Sequence, residues 1–224
     1  GKGQGLTQNQ IIVNIWNDGL IYFNVSNGAQ QWGTVTSNDT NWHHFAMVFD
    51  GTGTGNAGRL KGYIDGQSKT LTYTGTIPST TANPAANFRI GRSEIDASAF
   101  ANGPIDDVRV YNRVLSQDEI KRLYKIGATL KIATTRTDTL TDGLVGYWSF
   151  DGPDVAGVTA YDRSGQNNNG TLTNGPVRAI GRIGQALEFD GSDDRIDAGS
   201  PTVLDDVRPI TISAWIRPDS AGES

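Results

Sequence analysis

Residues 103–124 read GPIDDVRVYNRVLSQDEIKRLY, and the reading of this stretch decides the fold. Positions 105–111 form a β-rich run. Ser116-Gln117-Asp118-Glu119 then fits the S-x-x-E box, whose hydroxyl and carboxylate satisfy two amide donors at a helix start. Ile120, Leu123, Tyr124 and Ile126 follow, and Gly127 stops the helix. A strand feeding one short helix is predicted. Working outward, 10–16 (QIIVNIW) and 20–25 (LIYFNV) are β-rich runs joined by Asn17-Asp18-Gly19, a hairpin signal. Positions 42–49 (WHHFAMVF) end at Asp50-Gly51, and 60–64 (LKGYI) end at Asp65-Gly66. Further strand runs lie at 88–90, 144–150, 186–189, 195–197 and 210–216. Short strands punctuated by glycine turns predict an all-β sandwich.

Composition agrees. Of 224 residues, 28 are glycine, well above the usual ~7%, so turns are frequent. The net charge is −5, which speaks against a nucleic-acid partner, since phosphate binding needs a basic surface. The one long apolar run, 45–49, is too short to cross a bilayer, so membrane insertion is not expected. There is no cysteine, which excludes disulfides, thiolate metal sites and cysteine nucleophiles. No signal peptide is read at the start, and Gly1 stands without a methionine, which predicts a window from a longer protein. Positions 128–142 (ATLKIATTRTDTLTD) are Thr-rich and free of aromatics, and are read as a linker between 1–127 and 143–224.

The segments on both sides of that linker resemble the laminin-G-like branch of the concanavalin A-like lectin/glucanase superfamily. The resemblance rests on NWHHFAMVFDG (41–51), LKGYIDGQ (60–67), FRIGRS (88–93) and the stretch at 103–124. After the linker it rests on GLVGYWSFDG (143–152), AYDRSGQNNNGTL (160–172), IGQALEFDGSDDRID (183–197) and ITISAWIRP (210–218). It implies a jelly-roll β-sandwich. In the family the GLVGYWSFDG strand opens the domain and the IDDVRVYN strand with its helix closes it. Here 1–127 corresponds to the closing half and 143–224 to the opening half. The chain is therefore a circular permutant, or a window cut out of phase from a tandem array whose halves pair between copies.

The resemblance also implies a structural Ca²⁺ on Asp106 or Asp107, the Gly191 carbonyl and Asp151. A hard cation needs six to eight oxygens, which Asp-Gly turns supply. The same aspartates also suit turn capping. The D-x-S-G-x-x-N-x-G loop at 162–170 reads as a self-bonded loop. The superfamily's retaining glucanases carry E-x-D-x-E, but here Glu94-Ile95-Asp96-Ala97-Ser98 lacks the last carboxylate. Without it the leaving oxygen has no acid, so no enzyme activity is expected. His43 and His44 have no metal or acid–base spacing and are read as structural. Trp42, Trp148 and Trp215 fall in family motifs and are expected in the core. Trp16, Tyr22 and Trp32 are the candidate glycan-stacking residues, with ordinary sheet packing as their other reading. The sequons at Asn24, Asn38 and Asn169 matter only in a eukaryotic secretory route.

The first functional reading is a non-catalytic, adhesive repeat of a prokaryotic extracellular or cell-surface protein. Its partners are neighbouring copies, assembled into fibres by strand complementation. The alternative is a carbohydrate-binding lectin module that recognises surface glycans.

Overall fold

The β-rich runs become strands in a computed structural model that describes residues 2–3, 10–16, 18–37, 39–81, 87–92, 99–128, 139–200 and 209–219. The first strands are β1 (Lys2–Gly3), β2 (Gln10–Ile15), β3 (Leu20–Ser26), β4 (Trp32–Thr36), β5 (His43–Phe49) and β6 (Leu60–Ile64). Then come β7 (Gln67–Lys69), β8 (Thr72–Thr74), β9 (Arg89–Ile90), β10 (Asn102–Tyr111), β11 (Leu144–Trp148) and β12 (Val155–Ala156). The series ends with β13 (Thr159–Ala160), β14 (Gly170–Thr173), β15 (Val177–Ile180), β16 (Gln185–Asp190), β17 (Arg195–Asp197) and β18 (Ile210–Ile216). A five-residue helix α1 (Gly55–Arg59), absent from the sequence reading, precedes β6, and α2 (Gln117–Ala128) follows β10.

Three antiparallel sheets result. One has the order β1-β2-β3-β4-β8 and another β12-β13-β14-β17-β9. The central sheet runs β15-β16-β10-β18-β5-β6-β7, with β11 also on β10. The ten-residue β10 is its pivot. One edge of β10 takes β16 along Asn102–Ile105 and β11 along Val108–Tyr111, while the other edge takes β18. In the third sheet β9 pairs with β17. Strands from both sides of the expected linker thus share sheets within one chain.

Alternation of side chains places the core. Ile210 and Ile212 of β18 and Phe45, Met47 and Phe49 of β5 face inward to meet Phe23, Leu187, Ile196 and Trp148 from all three sheets. Gly62 lets the layers approach, because a Cβ there would stand 2.5 Å from the Phe23 ring. The outward set of the central sheet, Ala46, Val48, Tyr63 and Tyr111, is covered by Leu115 and by Ile120 and Leu123 of α2. Each such aliphatic burial contributes about 1.5–3 kcal/mol. The predicted box starts α2: Ser116 N–H donates to Glu119 Oε2 at 2.9 Å, and Glu119 N–H donates to Ser116 Oγ at 3.3 Å.

Turn chemistry follows the sequence too. Asp65 and Gly66 both take positive φ (53° and 71°), the form that matches strand twist in a two-residue hairpin. Of the expected linker, 129–138 lies outside the described residues, and α2 reaches Ala128. Thr139–Thr141 form a 3-10 turn, and Leu140 is buried in the cluster under α2.

Candidate functional site

The outer face of the sheet β1-β2-β3-β4-β8 gathers the aromatic candidates. Ile21, Phe23 and Val25 of β3 point into the core. Alternation therefore turns Tyr22 and Asn24 outward. Register sets Asn14, Tyr22, Thr34 and Thr72 in one cross-strand row, and Ile12, Asn24, Trp32 and Thr74 in the next. Trp16 closes β2 at the hairpin, where its carbonyl accepts the Gly19 amide at 3.1 Å and its own amide donates to Leu20 O at 3.1 Å. The Trp16 and Tyr22 rings lie 6.3 Å apart at 71°, and Tyr22 and Trp32 lie 6.0 Å apart at 62°. All three are half-buried. Tyr22 OH donates to Asp18 Oδ2 at 2.7 Å, which fixes the ring and raises the phenol above its ordinary pKa. The structure thus joins the three sequence candidates in one row of edge-to-face rings, flanked by the exposed hydroxyls of Thr72 and Thr74. Such a row offers apolar faces and polar rims to a sugar ring.

Two residues of this face escaped the sequence reading. The Nδ2 atoms of Asn14 and Asn24 are buried and have no hydrogen-bond partner. Asparagine inside strands of β-branched and aromatic residues was the available signal, since its amide is a poor fit to a strand interior.

The acidic candidates do not form one group. Asp106 is fully buried, and its Oδ2 accepts the Ile183 amide at 2.8 Å. Its Oδ1 is buried without a partner. Burial pushes this carboxyl up to about 7 against the pull of the Ile183 amide, and the charges of Asp107 and Asp151 add to the rise. Asp151 Oδ1 accepts the Gln185 amide at 2.9 Å, on the same turn between β15 and β16. Glycine is required there, because a Cβ on Gly181 would stand 2.7 Å from Asp106 Oδ2. Asp107 goes elsewhere. It takes φ 52° at a bulge of β10 and pairs with buried Arg109 at 3.1 Å, whose guanidinium lies 4.2 Å above the Tyr147 ring. Gly191 sits at the far end of β10, against Asn102, with its amide on Ala101 O at 2.9 Å. Four residues of strand separate it from Asp106, about 13 Å at ~3.3 Å per residue. Asp106 and Asp151 meet at this turn, each with one oxygen on a backbone amide, and Asp106 Oδ1 is left unpartnered. Asp107 and Gly191 do not join them.

Near Gly191, the carboxylates of Asp190, Asp193 and Asp194 lie within 4.8 Å of one another. They already bind their own turn: Asp190 Oδ1 accepts the Ser192 amide at 2.9 Å, and Asp194 Oδ2 accepts the Asp190 amide at 3.2 Å. Asp162 likewise holds its loop, accepting from Tyr147 N, Ser164 N and Asn168 N within 2.9 Å.

His43 bridges Asp65 (2.7 Å) and Asp39 (2.9 Å). Burial drives His44 down to about 4, so it is neutral in the core. Trp148 and Trp215 are buried as expected. Trp42 is only half-buried, at the sheet's end, with the Arg217 guanidinium 5.8 Å above its ring. Glu94, Asp96 and Ser98 lie outside the described residues, as does Asn38.

A family model described as the concanavalin A-like lectin/glucanases superfamily matches residues 2–121, more than half of the 224-residue chain. No curated protein and no solved structure matches the chain.

Proposed function

From the premise that this chain belongs to the concanavalin A-like lectin/glucanase superfamily, we propose that it is a carbohydrate-binding module working outside the cell. The row Trp16–Tyr22–Trp32 carries this reading, since it sets three half-buried rings side by side on one outer sheet face. Ring faces bind the C–H faces of a sugar, and the neighbouring hydroxyls orient it. No catalysis is part of the reading, because Ser98 stands where a glucanase needs its second carboxylate. A structural cation held by Asp106 and Asp151 belongs to it as a support of the fold.

Extracellular placement follows the usual setting of laminin-G-like domains. Among the described residues, no helix is long and apolar enough to cross a membrane. The adhesive-repeat reading, with fibres built by strand complementation, needs strands from a neighbouring copy. The pairing of β10 with β11, β16 and β18 inside one chain favours the module.

A glycan array followed by affinity electrophoresis tests the reading. The wild type is expected to retain specific glycans, and Trp32→Ala to lose them. Head-to-tail filaments in electron micrographs, with a silent array, would overturn it in favour of the fibre.

A further inference from the structure

Asparagine followed by glycine carries its own chemistry. The glycine amide nitrogen can attack the asparagine Cγ, and the missing Cβ on glycine leaves that approach open. The chain has four such pairs, at Asn27, Asn102, Asn169 and Asn174. The fold treats them differently. Asn102 and Gly103 lie in β10, in register with Asp190 and Phe189 of β16. Gly170 is buried in β14 opposite Ala160, and Asn169 Oδ1 accepts the Asp162 amide at 2.9 Å. Asn174 is exposed at φ 67°, but its Nδ2 donates to Asp193 O at 3.1 Å.

Asn27 and Gly28 differ on each count. Both are exposed, in the turn between β3 and β4. Among the described residues, neither the Asn27 side chain nor the Gly28 N–H has a hydrogen-bond partner. Asn27 is held by its main-chain N–H, which donates to Gln31 Oε1 at 3.1 Å and leaves Cγ and Nδ2 free to turn. A hydrogen bond that must open before the attack slows it about two- to tenfold. The attack therefore meets its lowest barrier at Asn27.

We propose that Asn27-Gly28 is a self-modifying site, at which the Gly28 nitrogen attacks Asn27 Cγ and the side-chain amide ends as a carboxylate. The N–Cγ bond forms, the Cγ–Nδ2 bond breaks, and ammonia leaves with the proton of the Gly28 amide. Water then opens the cyclic imide. Addition at the main-chain carbonyl yields isoaspartate, and addition at Cγ yields aspartate. Either product adds a negative charge to the β3–β4 turn. Isoaspartate also routes the main chain through Cβ and Cγ, which lengthens it by one carbon. Gln31 ties that turn to its neighbours, accepting from Asn27 N–H, donating from Nε2 to Thr76 O at 2.7 Å, and accepting Val25 N–H on its carbonyl at 3.3 Å. Trp32 follows directly. The modification therefore shifts the Trp32 end of the aromatic row, whatever the row binds.

Peptide mapping of the full chain by mass spectrometry, over a time course in mildly alkaline buffer, tests it, with isoaspartate told from aspartate by enzymatic methylation. The folded wild type is expected to convert Asn27 first, about two- to tenfold faster than Asn174 and faster still than Asn102 and Asn169. In urea, with the fold gone, the four pairs should convert at similar rates. Near-ultraviolet circular dichroism of the folded chain should drift as isoaspartate accumulates. Asn27→Gln, whose longer side chain closes the ring poorly, should hold its spectrum. Conversion led by Asn174, Asn102 or Asn169, or an unchanged Asn27 in the folded chain, overturns the assignment. So does the same ranking in urea as in buffer, since the fold would then not be its cause. Full conversion of Asn27 with an unmoved spectrum, or a drift in Asn27→Gln equal to that of the wild type, overturns the link to Trp32.

Discussion

Trp148 is where the two segments of the chain close on each other, so its replacement should show whether they form one cooperative unit. The side chain is fully buried. Its ring stacks on Phe88 from the other segment, at 5.6 Å and 13° between planes. Its indole N–H donates to the Asn168 carbonyl at 3.1 Å. Gly146 packs so closely that a Cβ there would stand 2.6 Å from the ring. Trp148→Ala removes the ring and leaves a cavity, at about 3–5 kcal/mol. Trp148→Phe keeps a ring but loses the hydrogen bond and some volume, about 1–2 kcal/mol in all. Against a domain stability of roughly 5–15 kcal/mol, the alanine change removes a large share. The stacking alone should appear as a coupling of about 0.5–1.5 kcal/mol in a cycle with Phe88→Leu. Urea unfolding, followed by fluorescence and by circular dichroism at two protein concentrations, measures all of this. One transition is expected, with a midpoint independent of concentration. Two transitions, zero coupling, or a midpoint that climbs with concentration would refute a core shared by both segments within one molecule.

Millimolar Ca²⁺ should raise the melting temperature over that in EDTA, by about 2.7 kcal/mol of stability at a hundred times its dissociation constant. Asp151→Asn should abolish the difference, and an unmoved wild-type melting temperature counts against the Asp106–Asp151 pair. His43 faces a carboxylate at each ring nitrogen, 2.7 Å from Asp65 and 2.9 Å from Asp39, and carboxylates only accept, so both nitrogens must donate. Burial pulls its pKa down, but the bonds to Asp65 and Asp39 outweigh that and hold it above the ordinary 6.5. A raised base stabilises fully below the unfolded value near 6.5, and that stability is lost as pH rises through the folded pKa. An NMR titration should place His43 above 6.5 and His44 at about 4, and a His43 midpoint below 6 would sink the argument. Gly62→Val drives a side chain into the Phe23 ring and should cost about 1–3 kcal/mol by urea unfolding, whereas a loss under ~0.5 kcal/mol would contradict the packing.

Local chemistry was legible because local geometry decides it. Asp65-Gly66 announces a two-residue turn that needs positive φ twice, and Ser116-x-x-Glu119 announces a helix start. Both are built that way. The acidic pair Asp106-Asp107 reads as one feature, yet a bulge in β10 gives Asp107 a φ of 52° and sends the neighbours to different partners. Nothing in IDDVRVY marks that bulge. The resemblance places the Asp190-Gly191 turn at the same ion, because family strand order makes the two neighbours. The register instead puts Gly191 against Asn102 and brings Asp151 to Asp106 through the Gly181–Gln185 turn. Register and bulges are long-range outcomes of pairing, and no spacing along the chain encodes them.

The outer face of β2–β4 divides along the same line. Its aromatics could be singled out because rings placed near a hairpin, outside the recognised core motifs, already invite a second use beyond packing. Its amides could not, because Asn24 reads equally well as a sequon, a turn former or a strand intruder. Only its neighbours decide, and they bury its Nδ2 without offering an acceptor. A residue that lowers strand propensity, costs hydration and gains no partner works against folding on three counts. Such conflict between local preference and the folded state marks the places where a fold gives up stability for a task. Asn14 and Asn24 meet the description, yet Asn24 and its cross-strand neighbour Ile12 are 3% and 1% exposed, so their row is closed and the half-buried rings of Trp16, Tyr22 and Trp32 alone carry the case for this face.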